Sequence, residues 1–451
     1  MKVDVTILRP DTPYGFASII LGYSNPEKTE VELTVEYRNL FKFTSLTSGT
    51  AFDLFVVSCI VYGTDILLPR KKFGFDGWSR EIDVTIPVGS PQIFMAAKEQ
   101  LERTLNFLTG DVWTIGFTQA PSFCLYKRGE KQKVYKECFR KSCRVVNLFS
   151  GGIDSLIGAI NQLQSSLDPV CLVSHTDSMF KGAKKDQEAI LEVIKKKYSH
   201  FYYLPTRVDM GKCDLYGDKY EKETTLRSRS FLFLCMATLV AESIDSNMPV
   251  YIPENGTISL NYPLTPSRRS SCSTRTTHPQ YFHLFKDFLR SIGLNHAIIN
   301  KYQLCTKGEM VEQCKDQDLL KHTYKLSCSC GKRGTRKDIR DNPHAVNCGV
   351  CMPCIYRQAA MHKIGESELV GTDIFHSRKR RFWDIPDMPA LVSYIRRNSS
   401  EAKIGRELLT NGSLPLDQLP EYAKLVMRTR EEIKQWVRDK ATAEIKRQFG
   451  L

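Results

Sequence analysis

Three stretches of this chain carry residue types whose spacing can do chemistry. The first is Ser150–Gly151–Gly152–Ile153–Asp154–Ser155, which follows the apolar run Val145–Val146–Asn147–Leu148–Phe149 and precedes a helical pattern of Leu156, Ile157, Ile160 and Leu163. Two glycines let the backbone turn sharply and bring its N–H groups close to an anion. The helix start behind them adds free donors and partial positive charge. Ser150 and Ser155 can donate hydroxyls to phosphate oxygens, whereas anionic Asp154 would act through Mg2+ or as a helix cap. Two glycines alone would read as a plain turn; the hexapeptide between a strand and a helix is more specific. It is not a Walker A loop, because no Gly-Lys-Ser/Thr follows at the required spacing.

The second stretch is Cys348–Gly349–Val350–Cys351–Met352–Pro353–Cys354. It offers three thiolates within a short turn, and a tetrahedral zinc wants four. The fourth should come from Ser327–Cys328–Ser329–Cys330, where both cysteines qualify and Cys328 is the favoured ligand. Lys332, Arg333 and Arg336 would offset the negative charge. An iron–sulfur cluster or a redox pair would use the same side chains, but four thiolates leave no open position, so structural zinc is the expectation. The chain has 15 cysteines, most of them single, which suits thiols in a reducing cytosol better than a disulfide scaffold.

The third stretch is looser. Glu254, Asn255 and Gly256 follow the strand-like Val250–Ile252 and so fall at a ligand-binding edge, where Asn255 could donate to a carbonyl or a base. Ser273, Thr274, Arg275 and His278 form a polar group suited to a carboxylate or phosphate, with Arg275 able to make a bidentate contact. Their plainer readings are a turn after a strand and a polar surface loop. Arg229 opens an otherwise apolar helix and either points back toward a nucleotide or is exposed. Lys184 and Lys185 begin a helix dense in Lys and Glu, which reads as a solvated face.

These residues need elements to hold them. The first 120 residues alternate apolar and polar at period two (Val31, Leu33, Val35, Tyr37; Ile82, Val84, Ile86, Val88), interrupted by a helical stretch over Ala96–Leu108. The spacing predicts a β-rich domain over 1–125 and a basic linker over 126–144. From Val145 short apolar strands (Val145–Phe149, Val170–Ser174, Phe201–Leu204, Val250–Ile252) alternate with helices near Asp154–Leu163, Lys184–Tyr198 and Arg227–Ile244. That rhythm predicts an α/β domain with a parallel sheet over 145–320. A zinc-binding segment over 321–370 and a basic helical region over 371–451 complete the chain. Its 451 residues are 42% hydrophobic and 25% charged, which excludes wholesale disorder. The longest apolar run, Phe231–Ala241, is too short for a bilayer, and the start lacks a signal-peptide layout, so a cytoplasmic protein with no membrane partner is expected. With 64 Lys and Arg against 50 Asp and Glu, the net charge of +14 favours an anionic partner, nucleic acid among them.

The hexapeptide in its strand–loop–helix setting resembles the SGGxDS loop of the PP-loop (N-type ATP pyrophosphatase) superfamily. Followed about 170 residues later by a cysteine and then by Cys348–Gly349-x-Cys351-x-x-Cys354-x-x-Arg357, it is similar to QueC, the 7-cyano-7-deazaguanine synthase family, over roughly residues 144–370. Thr323-x-x-x-Ser327–Cys328 and Ser228–Arg229 resemble smaller pieces of that family. The resemblance implies an adenine nucleotide alpha hydrolase-like domain with ATP, Mg2+ and Zn2+ as cofactors. ATP would be held by Leu148, Phe149, Ser150, Gly151, Gly152, Ile153, Asp154, Ser155, Leu156 and Arg229. Asp154, Ser155 and Arg275 would be catalytic. From the chemistry of the third stretch, and not from the resemblance, Glu254, Asn255, Gly256, Thr274 and Arg275 would contact substrate; Cys328, Cys348, Cys351 and Cys354 would bind metal. The implied reaction is adenylation of a 7-deazapurine carboxylate, such as 7-carboxy-7-deazaguanine, followed by capture with a nitrogen nucleophile.

QueC proteins are about half this length, and the segments Glu254–Asn261 and Ser273–Pro279 depart from their pattern, as does the long stretch from Cys328 to Cys348. The longer form is similar to the QueC-like components, the QatC group, of Qat bacterial anti-phage defence systems. That implies partner proteins of a defence operon, one of which could supply an amine in place of ammonia. A PP-loop tRNA-modifying enzyme and a nucleotide-sensing subunit without turnover are the alternatives.

Overall fold

The computed structural model describes residues 1–8, 16–75, 77–120, 136–179, 182–265, 274–333 and 337–451. Residues 126–135 of the expected linker, Ser273 and Arg336 lie outside the described residues. Ten strands form one mostly parallel sheet: β1 (Lys2–Ile7), β2 (Phe16–Ser24), β3 (Lys28–Glu36), β4 (Glu81–Val88), β5 (Val112–Gln119), β6 (Val145–Leu148), β7 (Val170–Thr176), β8 (Phe201–Met210), β9 (Val250–Tyr251) and β10 (Ile298–Ile299). Their order is β10-β9-β6-β7-β8-β3-β2-β1-β4-β5.

The N-terminal strands are therefore a continuation of the α/β sheet. The join is β8, which is longer than the expected Phe201–Leu204. Its residues 201–207 pair parallel with β7, and Arg207–Met210 pair antiparallel with Glu36–Leu33 of β3. Pro205 breaks the apolar run in the sequence, yet it sits within the parallel ladder opposite Ser174.

The N-terminal half is also more helical than its period-two pattern predicts. Besides Lys98–Thr109 it contains Thr50–Leu67, an 18-residue helix with a mean hydropathy of 1.6 that is 94% buried. It passes a membrane-span test by length and composition, but it lies against the helix Arg229–Ile244, also apolar on nearly every side. A helix hydrophobic all round belongs inside a core. Gly63 lets it settle on the sheet, since a Cβ there would stand 2.5 Å from Leu21 and 3.0 Å from Leu33.

Every residue of β7 is buried, and alternate ones serve opposite faces. Cys171 and Val173 join the core that contains Thr50–Leu67 and Arg229–Ile244; Val170 and Leu172 join the one under Ile153–Ser165 and Ala183–Ile194. Both faces of the parallel part are covered, as its apolar strands require. The C-terminal region is helical and docked: Leu419–Lys440 packs on Met352–Lys363, Gly256–Leu260 and Lys307–Glu312 around a third core.

A cluster of buried charges ties the N-terminal half to the start of helix Arg229–Ile244. Arg80 pairs with Asp65 and Asp111, and Arg70 forks onto both oxygens of Asp111 at 2.7 and 2.8 Å. The second oxygen of Asp65 accepts the backbone N–H (3.0 Å) and the hydroxyl (2.7 Å) of Ser228. Burial would push the Asp65 carboxyl up, but Arg80 and Arg70 together hold it below the usual range.

Candidate functional site

Strand β6 lies between β9 and β7, where the sheet order reverses direction. In open α/β sheets, that switch point at the carboxyl ends of the strands is where ligands bind. The chain leaves β6 through Phe149–Gly152 and enters the helix Ile153–Ser165, so Ser150–Ser155 occupies the switch point. Gly151 has a φ of 85°, a left-handed conformation that only glycine adopts at low cost, and a Cβ there would press on Gln187 at 3.0 Å. The hydroxyls of Ser150 and Ser155 are 3.2 Å apart, and the Gly151 N–H donates to Ser155 Oγ. Leu148 lines the adjoining cavity, while Phe149, Ile153 and Leu156 are buried in the core and carry the loop.

Two cavities meet at this loop and share Ser150, Ser155, Pro253 and Glu254. One, of about 300 Å3, is lined by Leu148, Leu226, Phe233, Ile252 and Phe282, with Arg229 on its wall. The other, of about 230 Å3, is bordered by the charged Asp154 and Lys307 and by Cys328 and Ser329, with Ile258 and Pro353 completing the wall. Arg229 is held by His175: its Nε lies 3.3 Å from Nδ1 of that ring, whose Nε2 faces the Val208 carbonyl. Burial, reinforced by the Arg229 charge, depresses the His175 pKa to about 3. The imidazole is therefore neutral and presents Nδ1 as an acceptor.

Asp154 sits one residue inside its helix and is buried. Lys307 Nζ donates to Oδ1 and Asn255 Nδ2 to Oδ2, each at 2.6 Å. Burial alone would raise the Asp154 carboxyl, but Lys307 and these hydrogen bonds hold it below the usual range. Glu254 is affected the other way: burial first, then the neighbouring Asp154 charge, raise its pKa well above the usual value. One lysine thus faces two carboxyls that cannot both ionise cheaply.

Lys307 was not visible as a site residue in the sequence. Its only signal is the Thr306-x-x-Glu309 capping box that starts its short helix. Glu432 of the long C-terminal helix accepts from the Thr306 hydroxyl and from the Gly308 N–H, fixing the same turn from outside.

The other expected contacts divide. Asn255 has both ends occupied: Oδ1 caps Ile258 N–H at 3.1 Å and Nδ2 binds Asp154, so it positions the carboxylate rather than facing a ligand. Gly256 is a packing glycine, since a Cβ would lie 2.2 Å from the Gln303 carbonyl oxygen. Arg275 does not line either cavity. Its guanidinium donates to the Phe107 carbonyl (3.0 Å) and lies over the Phe107 ring. Thr274 is exposed, and its carbonyl accepts from Asn261; the neighbouring Thr276 and Thr277 line the larger cavity instead.

The cysteine cluster corrects one ligand. The four sulfurs that converge belong to Cys330, Cys348, Cys351 and Cys354, all within 4.8 Å of one another. Cys328 is drawn elsewhere because its backbone N–H donates to the Gly151 carbonyl at 3.0 Å, which places it beside the smaller cavity. Two residues on, the Cys330 sulfur accepts the N–H groups of Lys332 and Cys348, both at 3.3 Å, and so turns onto the cluster. Gly349 makes the turn possible, with a φ of 84° and no room for a Cβ against the Thr372 carbonyl. Four sulfurs this close repel one another as thiolates, so they can all ionise only around a cation. A soft tetrahedral set with no open position fits a structural zinc ion.

The cluster and the loop are joined. Arg357, three residues after Cys354 and about one turn along, pairs with Glu368 and donates to Ser327 Oγ (2.9 Å), the Tyr324 carbonyl (2.7 Å) and Ser329 Oγ (3.4 Å). Ser329 Oγ in turn accepts the Ile153 N–H at 3.3 Å. The cysteine segment thereby braces the loop at both Gly151 and Ile153. Compared with known proteins, the chain matches no family model, no curated protein and no solved structure.

Proposed function

We propose that this protein is a QueC-like, ATP- and Mg2+-dependent enzyme that adenylates a 7-deazapurine carboxylate and passes it to a nitrogen nucleophile. The observation that carries the reading is the pair of cavities, one apolar and one bordered by charged groups, meeting across Ser150–Ser155 at the switch point of the sheet. The apolar cavity suits a flat base, and the other suits phosphates. With Glu254 ionised, its carboxylate and that of Asp154 would supply the hard oxygen donors that Mg2+ prefers, the ion taking over charge that Lys307 balances in its absence, next to hydroxyls for phosphate oxygens. Bound there, Mg2+ would neutralise charge on the leaving pyrophosphate.

In this reading a substrate carboxylate oxygen attacks the α-phosphorus, the bond to the β-phosphate oxygen breaks, and pyrophosphate leaves. The nitrogen lone pair then attacks the acyl carbon, AMP leaves, and the nitrogen loses a proton. Lys307 and the loop N–H groups hold negative charge, Arg229 borders the base-side cavity, and the cysteine cluster keeps the loop in shape. The chain is longer than the small-molecule reaction needs, which favours an amine on a partner protein in a bacterial defence system over free ammonia.

The test is release of pyrophosphate and AMP from Mg-ATP with 7-carboxy-7-deazaguanine. Release should depend on the deazapurine and fall by at least about 100-fold in Asp154→Asn. ATP binding with no release, or release unchanged in that variant, would overturn the reading. Mass spectrometry of partner proteins then separates the nucleophiles: free amide, or nitrile after a second ATP-driven loss of water, with unmodified partners means ammonia.

A further inference from the structure

The outer side of the cysteine cluster brings together two basic stretches that are far apart in the sequence. One holds Lys332, Lys337 and Arg340; the other is Arg378–Lys379–Arg380–Arg381. The Asp341 carboxylate accepts the backbone N–H groups of Arg378 (3.1 Å) and Lys379 (3.2 Å), and the Asn342 N–H donates to the Gly371 carbonyl at 2.8 Å. Arg340 is buried beneath, donating to the carbonyls of Ala345 (3.2 Å) and Lys332 (3.0 Å). Between the stretches opens a cavity of about 210 Å3, lined by Lys332, Arg340 and Arg380 and floored by Cys348 and Val350.

The rim is cationic and accessible. Lys337, Arg378, Lys379 and Arg381 are exposed, and among the described residues their side chains form no ion pair. Two positions beyond Arg381, Trp383 is 47% exposed. It is held edge-on by Phe382 at 5.1 Å, which packs in turn on Phe449 at 5.6 Å. An exposed indole on an anchored base is costly on a bare surface and useful as a stacking platform.

We propose that this face binds single-stranded nucleic acid, with phosphates along the basic rim, one of them in the cavity, and a base on Trp383. Cationic rims with an aromatic platform are how single strands are held with little sequence preference. Guanidinium groups match phosphate geometry, and an acidic peptide would have no use for the indole. A duplex would keep its bases stacked away from it. The inference goes beyond the adenylation reading, and the cationic and aromatic side chains it uses take no part in that reaction.

The experiment is fluorescence anisotropy of the full chain with a labelled single-stranded RNA and DNA oligomer and the matching duplexes, without ATP, across a salt series. Single strands should bind more tightly than duplexes. Arg378→Ala/Lys379→Ala/Arg381→Ala should weaken binding about tenfold or more at low salt and lower the salt slope by about 2 to 3. Trp383→Ala should weaken it about five- to 100-fold with the slope unchanged. Unchanged metal content and circular dichroism would show that both variants are folded. No binding at low salt, equal duplex binding, or full competition by a poly-aspartate peptide with Trp383→Ala silent would each overturn the proposal; the last would make the face a dock for an acidic protein.

Discussion

Two buried groups of charges, one at the start of helix Arg229–Ile244 and one at the start of helix Ile153–Ser165, are built on opposite terms. Around Arg80 and Arg70, two cations meet two anions, and the side chains are 0–4% exposed. Around Asp154, one lysine serves two carboxyls, and the three residues border a cavity. The first group is balanced and sealed, so its energy goes into fixing where the helix starts, through Asp65 and Ser228. The second is unbalanced and open, and its strain is recorded in the raised Glu254 carboxyl. Full pairing fixes geometry, whereas partial pairing leaves capacity for a ligand.

If the contrast is right, removing one charge from each group should produce different failures. Arg80→Met leaves Asp65 and Asp111 buried with one guanidinium between them. It should cost about 3–5 kcal/mol in denaturant unfolding, the typical cost of breaking a buried pair. A loss below about 1 kcal/mol would mean that the network is incidental. Lys307→Met should cost less stability, about 1–3 kcal/mol, but abolish pyrophosphate release by two orders of magnitude or more. An active, destabilised variant would make the second group structural like the first.

Glu254→Gln sharpens the contrast through pH. The Glu254 pKa is raised on folding, so its contribution is fully present below the unfolded value of about 4.5. It declines as pH rises, because the unfolded chain gives up the proton first. Wild type minus Glu254→Gln should therefore lose up to about 1.4 kcal/mol of stability per pH unit from 4.5 up to the raised folded value, and level off beyond it. A pH-independent difference would show that the Glu254 carboxyl is not perturbed. The smallest effect is expected from Cys328→Ser. Metal content by elemental analysis should match wild type, whereas Cys330→Ser should lose metal; the reverse result would restore Cys328 as the ligand.

The parts legible in the sequence were those set by neighbours along the chain. The turn between β6 and its helix shows in two glycines and an apolar run, and the three clustered cysteines show in their spacing. The choice between Cys328 and Cys330 did not, because it depends on one hydrogen bond to Gly151, 177 positions away in the chain. Lys307 was hidden for the same reason: a lysine opening a helix looks solvated until Asp154 is seen beside it. The period-two pattern of the first 120 residues gave strands but not their partners, and β8 reads as ending at Pro205 although its last residues carry the pairing to β3. Arg275 looked like a carboxylate clamp from its polar neighbours, and only the fold places Phe107 under it.

The strand β8 belongs to both halves at once, and this limits how the protein can be divided. A fragment limited to residues 144–370 would strip β3 from Arg207–Met210 and the helix Thr50–Leu67 from Arg229–Ile244. It would carry a raw sheet edge beside a wide greasy face, the combination that drives strands of different molecules together. Such a fragment should emerge as aggregate, so a dissection by deletion would read out insolubility where it meant to read out activity.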